Sequence, residues 1–141
     1  MKSIYPALKA VVVRDGKILI LRRSSSEDVF KEEWDIPGGK IEFGENPEKS
    51  LEREVKEEAG IKIKIVKPLR TWTFFKDKNR KQAVGITFLC KYESGKVKLS
   101  KEHDDYAWIN PESVKKYKIH EGIKKDIKEA EKAMKSLKRK S

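Results

Sequence analysis

The stretch Gly39-Lys-Ile-Glu-Phe-Gly-Glu-Asn-Pro-Glu-Lys-Ser-Leu-Glu-Arg-Glu-Val-Lys-Glu-Glu-Ala-Gly-Ile61 constrains this chain more than any other. Glu54, Glu57 and Glu58 recur at spacings of three and four, which places them on one face of a helix. Asn46 is a good N-cap, Pro47 fits the first helical position and Glu48 suits the positive end of the dipole. Gly60 stands where a left-handed C-terminal cap is expected. Leu51, Val55 and Ala59 fall beside the carboxylates and form a core-facing stripe. Three crowded anions repel one another, and a hard divalent cation such as Mg²⁺ is the most economical relief. Arg53 flanks them, placed to hold one carboxylate in position. Upstream, Pro37-Gly38-Gly39 and Gly44 mark a loop whose backbone can approach a ligand closely. Three glutamates alone fit a solvated surface helix equally well; the full constellation favours a site.

The same segment resembles the Nudix box of the Nudix (MutT-like) hydrolases. That pattern is Gly, five residues, Glu, seven residues, then Arg-Glu-aliphatic-any-Glu-Glu-any-Gly-aliphatic. Gly39, Glu45, Arg53, Glu54, Val55, Glu57, Glu58, Gly60 and Ile61 match every fixed position, nine over twenty-three residues. Leu21-Arg22-Arg23, Trp34-Asp-Ile-Pro-Gly-Gly39 and Leu99-Ser-Lys-Glu102-His103-Asp-Asp-Tyr106-Ala-Trp108 look like further segments of that family, less specific than the box.

The chain's 141 residues are enough for one domain with a sizeable core and no disulfides. Cys90 lies in the apolar run Val84–Cys90, where a buried thiol acting as a small hydrophobe is the expectation. Its use is compatible with a reducing cytoplasm. The polar N-terminus does not read as a signal peptide, and no apolar run reaches membrane-spanning length. A cytoplasmic protein is therefore expected. The net charge of +11 is uneven: from Val114 to Ser141, ten Lys and one Arg face four acidic residues, leaving +7 in that segment. A basic tail invites a nucleic-acid reading. However, Ile119, Ile123, Ile127, Ala130, Met134 and Leu137 recur every three or four residues, so an amphipathic helix over about 119–140, docked by its apolar stripe, is the stronger reading.

The rest reads as alternating strands and helices in one domain over residues 1–141. Leu8–Arg14 and Lys17–Leu21 flank Asp15-Gly16, a hairpin signal. A polar loop follows from Arg22 to Asp28, and Trp34–Ile36 leads into the glycine turn. Ile61–Ile65 alternates as a half-buried strand; Thr71–Phe75 and Ala83–Tyr92 form a second hairpin. Lys96–Leu99 and Tyr106–Ile109 read as short strands around an acidic loop, and Asn110-Pro111-Glu112 starts a short helix.

The resemblance implies the Nudix-type α/β/α sandwich, a mixed β-sheet between helices, and hydrolysis of a pyrophosphate bond using Mg²⁺ or Mn²⁺. By position, Glu54, Glu57 and Glu58 ligate the metal, with the Gly38 carbonyl completing the shell. Glu54 is the first choice of proton acceptor and Glu102 the second. Arg22, Arg23, Lys40 and His103 are the candidate substrate contacts; Trp34, Phe74 and Tyr106 are candidates to stack on a base. Glu45 is expected to be structural. The substrate expected is a nucleoside or deoxynucleoside triphosphate, oxidised ones included, cleaved to monophosphate and pyrophosphate. The Leu99–Trp108 run resembles the diadenosine-tetraphosphate hydrolases instead, although those carry Lys-Gly-His where this chain has Gly38-Gly39-Lys40. A nucleotide- or RNA-binding module without turnover is the alternative of another class. No oligomeric state is implied.

Overall fold

Alternation along the first two strands decides the layering. In β1 (Ser3–Arg14), Leu8, Ala10 and Val12 pack into one core and Val11 into another. In β2 (Lys17–Arg23), Leu19 and Leu21 join the first core, Ile18 and Ile20 the second. A strand with apolar residues on both faces must be covered on both sides. Helix α1 (Pro47–Ala59) covers one face through Leu51, Val55 and Ala59; α2 (Glu121–Lys140) covers the other through Ile123, Ile127, Ala130 and Ala133. The computed structural model describes residues 1–25 and 32–140, so positions 26–28 of the expected polar loop lie outside the described residues.

The sheet runs in the order β3-β2-β1-β6-β5, where β3 is Trp34–Asp35, β5 Lys62–Lys76 and β6 Lys81–Ser94. The strand β4 (Gly38–Lys40) pairs with β1, and β7 (His103–Ile109) pairs with β2. The β1–β6 pairing is parallel and the others antiparallel, which makes the sheet mixed. This is the expected α/β/α sandwich.

The β1–β2 hairpin turns at Asp15 and Gly16 with φ of 50° and 77°, as a two-residue turn of this type requires. On its other half, β1 exchanges β2 for β4, with Leu8 opposite Gly39 and Lys9 opposite Gly38. That switch brings the glycine turn beside α1.

Several expectations need correction. Ile61–Ile65 and Thr71–Phe75 are parts of one strand, β5, interrupted by irregularities between Lys62 and Ile63, Ile65 and Lys67, and Pro68 and Arg70. Bulges shift the inside–outside alternation, so the periodicity reads as two segments. Lys96–Leu99 forms no strand; the backbone N–H of Lys98 donates instead to the carbonyl of Ala59 beyond the end of α1. The short helix expected after Asn110 does form, as a 3₁₀ helix over Pro111–Lys116. The apolar stripe of α2 ends earlier than expected, since Leu137 is 42% exposed. Cys90 is fully buried, and burial pushes its thiol up to about 12, which makes it inert near neutrality. No helix among the described residues is long and apolar enough to cross a membrane.

Candidate active site

Helix α1 forms as its local signals require. The Asn46 side chain accepts from the Lys49 N–H at 2.8 Å, and Gly60 adopts φ 73° while its N–H closes on the Lys56 carbonyl. With Leu51, Val55 and Ala59 held in the core, Glu54 and Glu58 face the glycine turn, Glu58 lines the cleft beside it, and Glu57 stands exposed next to Arg53.

The turn and the helix are fitted to one another. A Cβ on Gly38 would strike the Leu8 carbonyl oxygen, so only glycine lets β4 run this close to β1. A Cβ on Gly39 would fall on the carboxyl group of Glu54. The Gly38 N–H donates to Glu58 Oε1 at 2.8 Å. The box thus joins loop and helix through glycines without side chains and carboxylates that occupy their space.

Arg53 organises the remaining carboxylates. Its Nε and Nη2 donate to the two oxygens of Glu45 at 2.7 and 2.9 Å, a fork-on-fork pair. Its Nη1 donates to both Glu54 and Glu57 at 3.1 Å. The hydrogen bonds from Arg53 hold the Glu45 carboxyl well below its usual range, at about 2. The structural role expected of Glu45 is visible in this pair. Part of the positive partner that the crowded glutamates demand is therefore Arg53 itself.

Glu58 is different. Burial pushes its carboxyl up to about 8, with Asp35 and Glu102 adding to the rise and the Gly38 N–H and Lys9 opposing it. Lys9 is itself paired with Asp35 at 2.9 Å. Glu54 is raised too, first by burial, although Arg53 counteracts this. Among the described residues no three His, Cys, Asp or Glu side chains converge on one ion-sized point: Glu54 and Glu57 share Arg53 while Glu58 turns to Gly38. The donor set is nevertheless all hard oxygen, and a buried Glu58 carboxylate has need of more positive charge than Lys9 supplies. Such donors suit Mg²⁺ or Mn²⁺ and not a soft metal.

A cavity of about 570 Å³ adjoins this cluster. Of the candidates from sequence, Gly38, Lys40, Glu58, Glu102, Arg23, Trp34 and Phe74 line it. Arg22 does not: it donates to Asp104 at 2.7 Å. Tyr106 also stands outside the cavity lining, 43% exposed. His103 is buried, neither a surface residue nor open to the cleft, and its Nδ1 lies 3.9 Å from Glu58 Oε2. At the cavity's edge the Lys40 and Lys76 ammonium groups lie 4.6 and 5.3 Å from the centre of the Tyr5 ring.

The cavity also contains residues that sequence reasoning passed over. Arg70 on β5 pairs with Asp126 on α2 at 2.6 Å and donates to the Gly122 carbonyl at 3.0 Å. Burial raises the Asp126 carboxyl despite the hydrogen bonds from Arg70 and Thr87. Lys9, Tyr5 and Trp72 complete this part of the wall. The only signal for them was an ionisable residue, Asp126, on the apolar stripe of α2, one position before Ile127.

A family model, the NUDIX domain, matches residues 6–130. The chain belongs to the Nudix family. Nudix hydrolases cleave phosphoanhydride bonds, so this chain is a Nudix hydrolase. It is 30% identical over 128 residues to the nucleoside triphosphatase NudI of Escherichia coli K12, spanning 84% of this chain and 90% of that protein. Among solved structures it is similar to a MutT protein from Methanosarcina mazei, with a TM-score of 0.82, 27% identity and coverage of 95% and 97% of the two chains. It shares its fold with an Ap4A hydrolase from C. elegans at a TM-score of 0.78, 22% identity and coverage of 94% and 98%.

Proposed function

We propose that this Nudix hydrolase cleaves nucleoside or deoxynucleoside triphosphates to the monophosphate and pyrophosphate. The observation that carries this reading is one cavity bordered by acidic Glu58 and Glu102, basic Arg23 and Lys40, and aromatic Trp72 and Phe74. A nucleotide needs all three: oxygen donors for its metal, cations for its phosphates and an apolar wall for its base. The likeness to NudI, a nucleoside triphosphatase, supports the triphosphate over other nucleotides.

In this reading Glu54, Glu57, Glu58 and the Gly38 carbonyl hold the cation, with Mg²⁺ preferred and Mn²⁺ accepted. When bound, the cation neutralises phosphate oxygens and acidifies a water molecule. Arg23 and Lys40 bind phosphate oxygens and orient the chain for in-line attack. Water attacks phosphorus, the bond to the bridging oxygen breaks, and pyrophosphate leaves. Glu54 takes the proton of the attacking water; Glu102, whose charge is felt at both Glu54 and Glu58, is the second choice. The Gly38 N–H keeps Glu58 turned toward the cleft. A reduced Cys90 goes with a cytoplasmic location.

The test is incubation, with Mg²⁺ and separately with Mn²⁺, of a panel of nucleoside triphosphates, dinucleoside polyphosphates and ADP-ribose, with products separated by chromatography. Monophosphate and pyrophosphate from a triphosphate are expected. Turnover confined to dinucleoside polyphosphates would move the assignment to that class. Absence of turnover with either metal would leave a nucleotide-binding module.

A further inference from the structure

Trp72 belongs to neither apolar core, although it is a large hydrophobic residue on a strand of the main sheet. It is half-buried and lines the cavity. Its cross-strand partner is Gly85, and a Cβ there would fall within the six-membered ring of the indole. The ring therefore lies flat on the sheet, in space that any other residue at position 85 would fill.

Polar contacts fix it in that pose. The indole Nε1–H donates to Thr87 Oγ1 at 2.9 Å. The fully buried Thr87 hydroxyl donates in turn to Asp126, which also receives the guanidinium of Arg70 at 2.6 Å. A buried indole N–H needs an acceptor in any setting; here the acceptor is itself anchored to Asp126, which fixes the ring's orientation. A ring locked flat, with one side on backbone and the other toward a cavity, is a preorganised stacking surface, because its rotamer entropy is already spent before a ligand arrives.

We propose that Trp72, held down by Gly85 and Thr87, is the platform on which the nucleobase stacks. This rests on the nucleotide reading above and adds where the base lies. Every base has a π-face, so the platform supplies affinity for nucleotides in general and does not choose among the bases. Orientation follows: the base lies toward β5 and α2, and the phosphates toward Arg23, Lys40 and the α1 carboxylates.

The test compares nucleoside triphosphate with inorganic pyrophosphate, which has phosphates and no base, as ligands of the Mg²⁺-supplemented protein. Wild type is measured first; if it binds no nucleotide, the nucleotide reading falls and the platform with it. Otherwise Trp72→Ala is expected to weaken triphosphate binding about tenfold or more while the pyrophosphate inhibition constant stays put. Trp72→Phe keeps a ring and is expected to recover most of the loss. Gly85→Ala leaves the indole chemically intact but lifts it, and is expected to imitate Trp72→Ala. Unchanged triphosphate affinity in Trp72→Ala would overturn the platform while leaving the nucleotide reading in place. Parallel weakening of both ligands in a variant that melts like wild type would overturn it as well.

Discussion

Arg53 and Glu45 meet through two parallel hydrogen bonds of 2.7 and 2.9 Å, tying the loop before α1 to the middle of the helix. The geometry is specific to a planar guanidinium, which a lysine ammonium cannot reproduce. Arg53→Lys is therefore expected to leave the fold intact but release Glu54 and Glu57, to which Arg53 also donates. Groups that orient metal ligands typically matter by about ten- to a hundredfold. An increase of that size in the Mg²⁺ concentration for half-maximal activity, with little change in nucleotide KM, is the expected result.

The same pair makes an acid limb for stability. Glu45 titrates at about 2 when folded, below its ordinary value near 4.5. A depressed carboxyl contributes stability above the unfolded value and loses it as pH falls toward the folded one. Between pH 5 and pH 2.5 wild type should lose more thermal stability than Glu45→Gln, which has no charge to lose there. Parallel melting curves for the two proteins would contradict this.

Glu58 has the opposite sign. Its folded value is raised to about 8, so the folded protein favours the neutral acid and the unfolded chain ionises first. Without a divalent cation, stability should fall as pH rises from about 4.5 to about 8. In EDTA at pH 9, Glu58→Gln should melt above wild type, and the gap should close by pH 5. In activity the order reverses: Glu58→Gln and Glu57→Gln are each expected to lose at least about a hundredfold. Activity retained in both would place the cation elsewhere.

Asp126 is 2% exposed and its guanidinium partner comes from a different layer of the fold. Asp126→Ala leaves Arg70, whose side chain is 24% exposed in the cavity, without its counter-charge, at a cost of about 1–3 kcal/mol, below that of a fully buried pair. Denaturant unfolding should show a loss in that range. Replacing both residues by apolar ones of similar volume should cost less than Asp126→Ala alone.

The parts of this molecule legible in the sequence are those written locally. Asn46, Pro47 and Gly60 bound α1 within one short segment, and Asp15-Gly16 announces its hairpin, because caps and tight turns depend on nearest neighbours. The carboxylate face followed from spacing alone. That Arg53 would hold one carboxylate was also legible; that it would take Glu45, Glu54 and Glu57 together was not, since the side-chain torsions of four residues decide which oxygens meet. Arg70 and Asp126 are fifty-six positions apart, and only the packing of α2 on β5 brings them together. Trp72 was not among the aromatic residues singled out in the sequence, because its pairing with Gly85 across the sheet is set by the β5–β6 register. His103 read as a substrate contact because its burial beside Glu58 comes from the β2–β7 pairing, not from its neighbours in sequence.

The irregularities of β5 that split its pattern have a second effect. This strand is the outer member of the sheet, and it carries Lys62, Lys64, Lys67 and Lys76 along with Pro68. An open edge of fifteen residues is otherwise a template for recruiting strands from other molecules. Bulges spoil its register, the proline withholds a donor, and the lysines repel a like edge. The protein's longest strand is thereby guarded against aggregation by the very features that concealed it.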